Sequence, residues 1–93
     1  MRFELSVSIE YMFLEAGERL EDRIAAAAAA GFRKLEMFTT ANRDVPSLRR
    51  ALDDHCCELV SAVTDPRIRL IDPDTHADFR DLFRAAAEDA VAL

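Results

Sequence analysis

Basic residues are scarce and scattered in this 93-residue chain: 12 Lys and Arg stand against 18 Asp and Glu, for a formal net charge of −6. No segment gathers the cations, which argues against a nucleic-acid backbone or an anionic membrane as the main partner, since both are met by clustered positive charge. Long apolar runs are missing too. The apolar stretches fall far short of the roughly 20 residues that a spanning helix needs. The opening MRFELSVSIE interrupts its apolar residues with charge, unlike the continuous apolar region of a secretory leader. A cytoplasmic location, with no membrane and no nucleic acid as partner, is therefore expected. Cysteine is limited to the neighbours Cys56 and Cys57. Adjacent thiols seldom close a ring, and metal sites use wider spacing with further ligands, so both are read as reduced thiols at a helix-to-strand junction. Glycine-rich phosphate loops, nucleophile elbows and zinc spacings are absent.

What is present reads as one small globular domain. The composition, 51% hydrophobic and 32% charged, is neither disordered nor fibrous. In FELSVSIE, Phe3, Leu5, Val7 and Ile9 alternate with Glu4, Ser6, Ser8 and Glu10, the two-residue period of a strand. After the loop YMFLEAGE, residues from about 16 to 30 carry Leu20, Ile24, Ala27 and Ala28 at helical spacing, with Glu15, Glu18, Glu21 and Asp22 towards the positive end of the helix dipole. Six alanines, Ala25 to Ala30, fill its last turns, where small side chains let a helix lie close to a sheet. Gly31 then ends it in the left-handed conformation that costs other residues about 1–2 kcal/mol. KLEMF is the second strand.

The pattern repeats. TTANRD leads to Pro46, suited to a first helical turn, and Leu48, Ala51 and Leu52 mark a helix ending near His55. CELVSAVT is the third strand, broken at Asp65 and Pro66 and followed by the linker RIRLIDPD. Thr75 with Asp78 three residues on reads as a capping box. Phe79, Leu82, Phe83, Ala86, Ala87, Ala90 and Val91 then form a helical stripe. Strand and helix alternate three times, in units of about 25–30 residues, which calls for an α/β fold with parallel strands joined by right-handed crossovers.

The segments LSVSIEYMF, AAAAAGFRKLEMF, LRRALDDHCCELV and IDPDTHADFRDLFRAAAEDAVAL together resemble the N-terminal part of hydroxypyruvate isomerase-like proteins, within the xylose isomerase-like TIM barrels. The likeness covers essentially the whole chain but only about three of the eight βα units of a (β/α)8 barrel. Residues 1–93 are thus expected to be the N-terminal portion of such a barrel, cut in or just after the third helix. One departure is notable. Family members usually carry glycine after the histidine closing helix two, where this chain has Cys56, so that turn is either rebuilt or strained.

The resemblance implies an isomerase or epimerase acting on a small hydroxy-carbonyl substrate, with hydroxypyruvate foremost. It also implies a divalent metal, magnesium or manganese, held by carboxylates and a histidine of later strands, so no catalytic residue and no metal ligand is assigned here. The isolated chain is expected to be inactive. The functional face of such a barrel lies at the C-terminal ends of the strands, so Ser8 and Glu10, Glu36 and Phe38, and Ser61 to Thr64 are the positions of interest. Ser8, Glu36 and Phe38 are the candidate substrate-binding residues. Glu36 is foremost, because a carboxylate set between apolar neighbours must face water, be paired or be protonated; its alternative is a structural pairing within the sheet. His55 and His76 are read as surface residues. The competing function is a non-catalytic α/β module that self-associates, because a parallel sheet needs cover on both faces and these helices can cover only one.

Overall fold

The computed structural model describes residues 3–64 and 71–93. Its elements follow in the expected order: β1 (Ser6–Ser8), α1 (Leu20–Ala29), β2 (Lys34–Glu36), α2 (Val45–Asp54), β3 (Glu58–Ser61) and α3 (His76–Ala92), with 3-10 turns at Leu14–Ala16 and Pro73–Thr75. The strands form one parallel sheet in the order β1-β2-β3. Val7 sits opposite Leu35, and Leu35 opposite Leu59.

Alternation along the strands decides which face the helices cover. Val7, Ile9, Leu35 and Met37 are buried in one cluster with Leu20, Ile24 and Ala27 of α1 and Leu48 and Leu52 of α2. Full burial of a side chain of this size contributes about 1.5–3 kcal/mol, so the cluster is the main source of stability. The intervening residues, Ser6, Ser8, Lys34 and Glu36, belong to the opposite face, which no helix covers among the described residues. The radius of gyration, 14.4 Å, exceeds the roughly 12 Å of a compact chain of this length, as an open slab requires.

Both helix-to-strand turns are closed by the same hydrogen bonds. After α1, Gly31 N–H donates to Ala28 O and Phe32 N–H to Ala27 O, each at 3.0 Å, with Gly31 at φ +99°. After α2, Cys56 N–H donates to Asp53 O at 3.1 Å and Cys57 N–H to Leu52 O at 2.8 Å, with Cys56 at φ +54°. Each is a Schellman motif, in which the residue after the cap turns left-handed so that two orphan carbonyls are satisfied. The turn at Cys56 is therefore not rebuilt. A side chain has been fitted into glycine's conformation.

The strands are shorter than their sequence patterns. Residues 3–10 read as one strand, but Phe3 and Leu5 overhang the first paired residue, Ser6, and are 83% and 74% exposed. At the other end the pairing outlasts the regular ladder: Ile9 N–H donates to Glu36 O and Met37 N–H to Ser61 O at 3.0 Å, and Val63 N–H to Phe38 O at 3.2 Å. Helix α1 begins at Leu20 instead of residue 16, because Gly17, at φ +119° and ψ −172°, is incompatible with a helix. The capping box is not formed. Thr75 lies in the right-handed region, and its hydroxyl donates to Asp72 O at 2.8 Å instead of capping α3, while Asp72 Oδ1 accepts the Asp74 N–H at 3.0 Å. The expected break at Asp65 and Pro66 and the first part of the linker lie outside the described residues.

Helix α3 carries its apolar stripe, yet none of its residues is buried. It touches α2, and one edge, with Leu82, Ala85, Ala86 and Asp89, lies beside Thr39, Thr40 and Ala41. Arg49 of α2 secures the far end, its Nη1 donating to Leu93 O at 2.5 Å while Nη2 meets Asp53 at 2.9 Å.

Replacing Cys56 with glycine is expected to stabilise the chain by about 0.5–1 kcal/mol, the left-handed penalty of a side chain exceeding the entropic cost of glycine. Gly31→Ala should destabilise it by about 1 kcal/mol. Urea unfolding midpoints of both variants check the pair; equal midpoints for Cys56→Gly and the parent chain would refute the strain.

Candidate functional site

Parallel register places Ser8, Glu36 and Ser61 in one row across the sheet, near the C-terminal ends of the strands. By alternation Ser8 and Glu36 are on the face opposite the helices. The Ser8 Oγ is buried without a hydrogen-bond partner. Glu36 is half-buried, and its carboxylate enters no hydrogen bond or ion pair among the described residues. Of the options for this acid, pairing inside the sheet is not the one adopted; it opens towards the uncovered face. A register irregularity between Leu35 and Glu36 sets Ser61, not Val60, opposite Glu36 and leaves Val60 43% exposed.

One turn beyond this row, a strap crosses from β1 to the loop after β2. Glu10 Oε1 accepts the Phe38 backbone N–H at 3.2 Å and meets Arg43 Nη2 at 3.3 Å, and the glutamate side chain is only 12% exposed. Charge-assisted bonds of this kind are shorter and stronger than neutral ones, and this one joins residues 33 apart in sequence. The strap fixes Phe38, whose ring meets that of Tyr11 edge to face at a centroid separation of 5.1 Å. On the other flank Arg23 of α1 donates from Nε to Gly17 O at 2.7 Å and from Nη1 to Ile9 O at 3.0 Å, tying down the loop that leaves β1. Ser47 Oγ donates to Glu21 Oε1 at 2.9 Å and links the starts of the two helices. The Asp44 side chain caps α2 by accepting the Ser47 N–H at 3.1 Å.

Sequence patterns bring Ser8, Glu36 and Phe38 into view but not Arg23 or Arg43. The signal for Arg43 was a cation in a polar loop, and nothing local shows that it reaches Glu10. Ser8 and Glu36 are brought together by register, whereas Phe38 stands beyond them at the rim. His55 ends α2 and is partly exposed, and His76 starts α3 and is exposed.

The opposite end of the sheet carries a different arrangement. Lys34 Nζ lies 2.8 Å from Glu4 and 3.9 Å from Glu58, forming a charged layer below the row of Ser8 and Glu36. Its hydrogen bond and attraction to Glu4, followed by the attraction to Glu58, raise the Lys34 pKa. A depression of about 410 Å³ lies beside this layer, lined by Leu5, Phe32, Lys34, Cys56 and Glu58. It is at the N-terminal ends of the strands, away from the residues proposed for substrate. Cys57 lies next to it; burial raises its pKa, partly offset by Arg33.

No family model and no curated protein matches the chain. Among solved structures it is similar to the crystal structure of an AP endonuclease, family 2, from Brucella melitensis, at 25% identity and a TM-score of 0.87. The match covers 97% of this chain and 37% of that one. The fold, three parallel strands alternating with helices, is that of part of a TIM barrel of the xylose isomerase-like kind. The chain spans little more than a third of the structure it matches, close to the share that three of eight βα units would take. In a TIM barrel the uncovered face of the sheet is the inner wall, and Ser8 and Glu36 stand near the C-terminal ends of the strands, the end at which TIM-barrel enzymes in general carry their active sites. Among the described residues no three His, Cys, Asp or Glu side chains come together as a metal site. They do not fit a divalent ion on their own. No helix among the described residues is long and apolar enough to cross a membrane.

Glu10→Ala should destabilise the chain by about 1–3 kcal/mol and speed hydrogen exchange at the Phe38 amide, while Glu10→Gln, which keeps the acceptor, should leave that amide protected. Heteronuclear NMR exchange rates check this, and an unchanged Phe38 rate in Glu10→Ala would show that the strap holds nothing. The elevated pKa of Lys34 fixes the sign of a pH effect. Its stabilisation is fully present below the ordinary lysine value of 10.5 and is lost as pH rises through the higher folded-state value. Lys34→Gln should flatten this alkaline loss in thermal melts; a curve of the same steepness would refute it.

Proposed function

We propose that residues 1–93 form the N-terminal portion of an isomerase or epimerase barrel acting on a small hydroxy-carbonyl compound, hydroxypyruvate being the leading candidate. One observation carries this reading: near the C-terminal ends of the strands, parallel register sets Ser8, whose buried hydroxyl has no partner, beside Glu36, whose carboxylate is unpaired among the described residues. An unsatisfied buried polar group costs about 1–3 kcal/mol, and such a cost is tolerated where a ligand supplies the missing bond.

In this reading Ser8 hydrogen-bonds a substrate oxygen, Glu36 accepts from a substrate hydroxyl, and Phe38 walls the pocket with Tyr11 behind it. Glu10 and Arg43 hold that wall. The resemblance implies magnesium or manganese, which would polarise the substrate oxygens and would need ligands from other parts of the barrel. The similar solved structure is that of an AP endonuclease, so endonuclease chemistry is the alternative for a barrel of this fold. A net charge of −6 with no basic cluster supports small-molecule chemistry over a nucleic-acid substrate for this portion.

A second reading is a non-catalytic module that self-associates. It is favoured by the exposed apolar side chains of a sheet and helix left without cover, among them Phe3, Leu5, Phe83 and Val91.

The decisive test is Glu36→Gln in a complete barrel carrying these residues, assayed for hydroxypyruvate interconversion with magnesium or manganese. A fall in kcat/KM of about 10²–10³ is expected for loss of a group bound to the reacting substrate. Unchanged kinetics would remove Glu36 from the site.

A further inference from the structure

The strap between β1 and the loop after β2 stands on the same face as Ser8 and Glu36. Ile9 and Met37 are buried in the core beneath the helices, and the ladder continues through them, Ile9 N–H donating to Glu36 O and Met37 N–H to Ser61 O. Alternation turns the next residues, Glu10 and Phe38, to the uncovered face. There Glu10 Oε1 accepts both the Phe38 N–H and Arg43 Nη2. The Arg43 side chain is thereby held on that face, 34% exposed. Its Nε and Nη1 have no acceptor among the described residues. Arg23, on the other flank, differs, because its Nε and Nη1 already donate to Gly17 O and Ile9 O.

A guanidinium presents its donors in a planar fork that matches a carboxylate. Nη2 carries two hydrogens, one on each edge of the fork, so meeting Glu10 with one of them leaves the other edge complete. The strap lies two residues beyond the row of Ser8 and Glu36, roughly 7 Å along the strands. A three-carbon hydroxy-carbonyl acid, hydrogen-bonded at both ends, is of a size to bridge that gap. Charge decides which way round it lies. A carboxylate beside Glu36 would meet like charge, whereas at the Arg43 end it meets free donors and leaves its hydroxyl end for Glu36 to accept from.

We propose that Arg43 is a specificity-determining residue that holds the substrate's carboxylate on the open edge of its guanidinium, and so sets a hydroxy-carbonyl acid apart from a neutral sugar of the same length. Glu10 is then a positioning residue, which aims the guanidinium and competes with the ligand for its charge. The inference rests on the isomerase or epimerase reading and adds to it the group that recognises the acid end.

NMR titration of the 93-residue chain with hydroxypyruvate, and with dihydroxyacetone as the neutral three-carbon analogue, each to about 50 mM, tests it at the Arg43 Nε–H and at the Ser8 and Glu36 amides. Hydroxypyruvate is expected to bind about tenfold or more tightly than dihydroxyacetone. Arg43→Gln should remove that margin while leaving dihydroxyacetone within about twofold, and Arg43→Lys should keep only part of it, because an ammonium lacks the fork. Glu10→Gln retains the acceptor for the Phe38 amide but no longer neutralises the guanidinium, so it should tighten hydroxypyruvate about threefold. A strap that is only structural would give no tightening. Equal affinities for the two compounds, with the Ser8 and Glu36 amides shifted by both, would overturn the role of Arg43 and leave the isomerase reading standing. Inorganic phosphate that displaces hydroxypyruvate at equal concentration would assign the fork to phosphate and overturn the carboxylate subsite. Binding of neither compound would also overturn it, while turnover of Glu36→Gln decides the isomerase reading separately.

Discussion

The two-residue period of the parallel strands is the constraint on which the structure depends. Val7, Ile9, Leu35 and Met37 must go under α1 and α2, because only that face offers apolar cover. This commits Ser6, Ser8, Lys34 and Glu36 to the other face. A slip of one residue would bury a lysine and a glutamate beneath the helices while exposing the core, so register is strongly specified. The polar inner wall is thus a consequence of core formation.

Along that wall the chemistry changes from end to end. Near the N-terminal ends of the strands the charges satisfy one another, Lys34 lying between Glu4 and Glu58. Near the C-terminal ends they do not: Ser8 and Glu36 remain without protein partners among the described residues, and the charge that is paired, Glu10 with Arg43, anchors a neighbouring wall. Self-satisfied groups hold a structure together, whereas unsatisfied groups supported by satisfied ones suit recognition. The contrast falls where a barrel places stability and function.

Much of the fold was legible because local physics encodes it. Gly31 announces its turn, since few other residues adopt its conformation, and the alternation in FELSVSIE and the spacing of Leu48 and Leu52 give element type and face directly. Other features depend on competition or distance. Thr75 was a reasonable cap, but Asp72 takes its hydroxyl and starts the preceding turn. The α3 stripe has helical spacing, yet periodicity records what a surface could bury and not whether anything covers it. Among the candidate residues, Ser8 and Glu36 were accessible through strand position, while the reach of Arg43 to Glu10 and of Arg23 to Ile9 is a tertiary fact with no short-range signature.

The matching turns at Gly31 and Cys56 have a modular consequence. Each returns the chain to the sheet through bonds within the last turn of its own helix, so the start of the next strand takes no instruction from how the helix began. A βα unit built this way behaves as a cassette with a standard exit. Helices could lengthen or shorten by whole turns over time, provided their inner face still fits the sheet, without disturbing the alignment of residues along the wall.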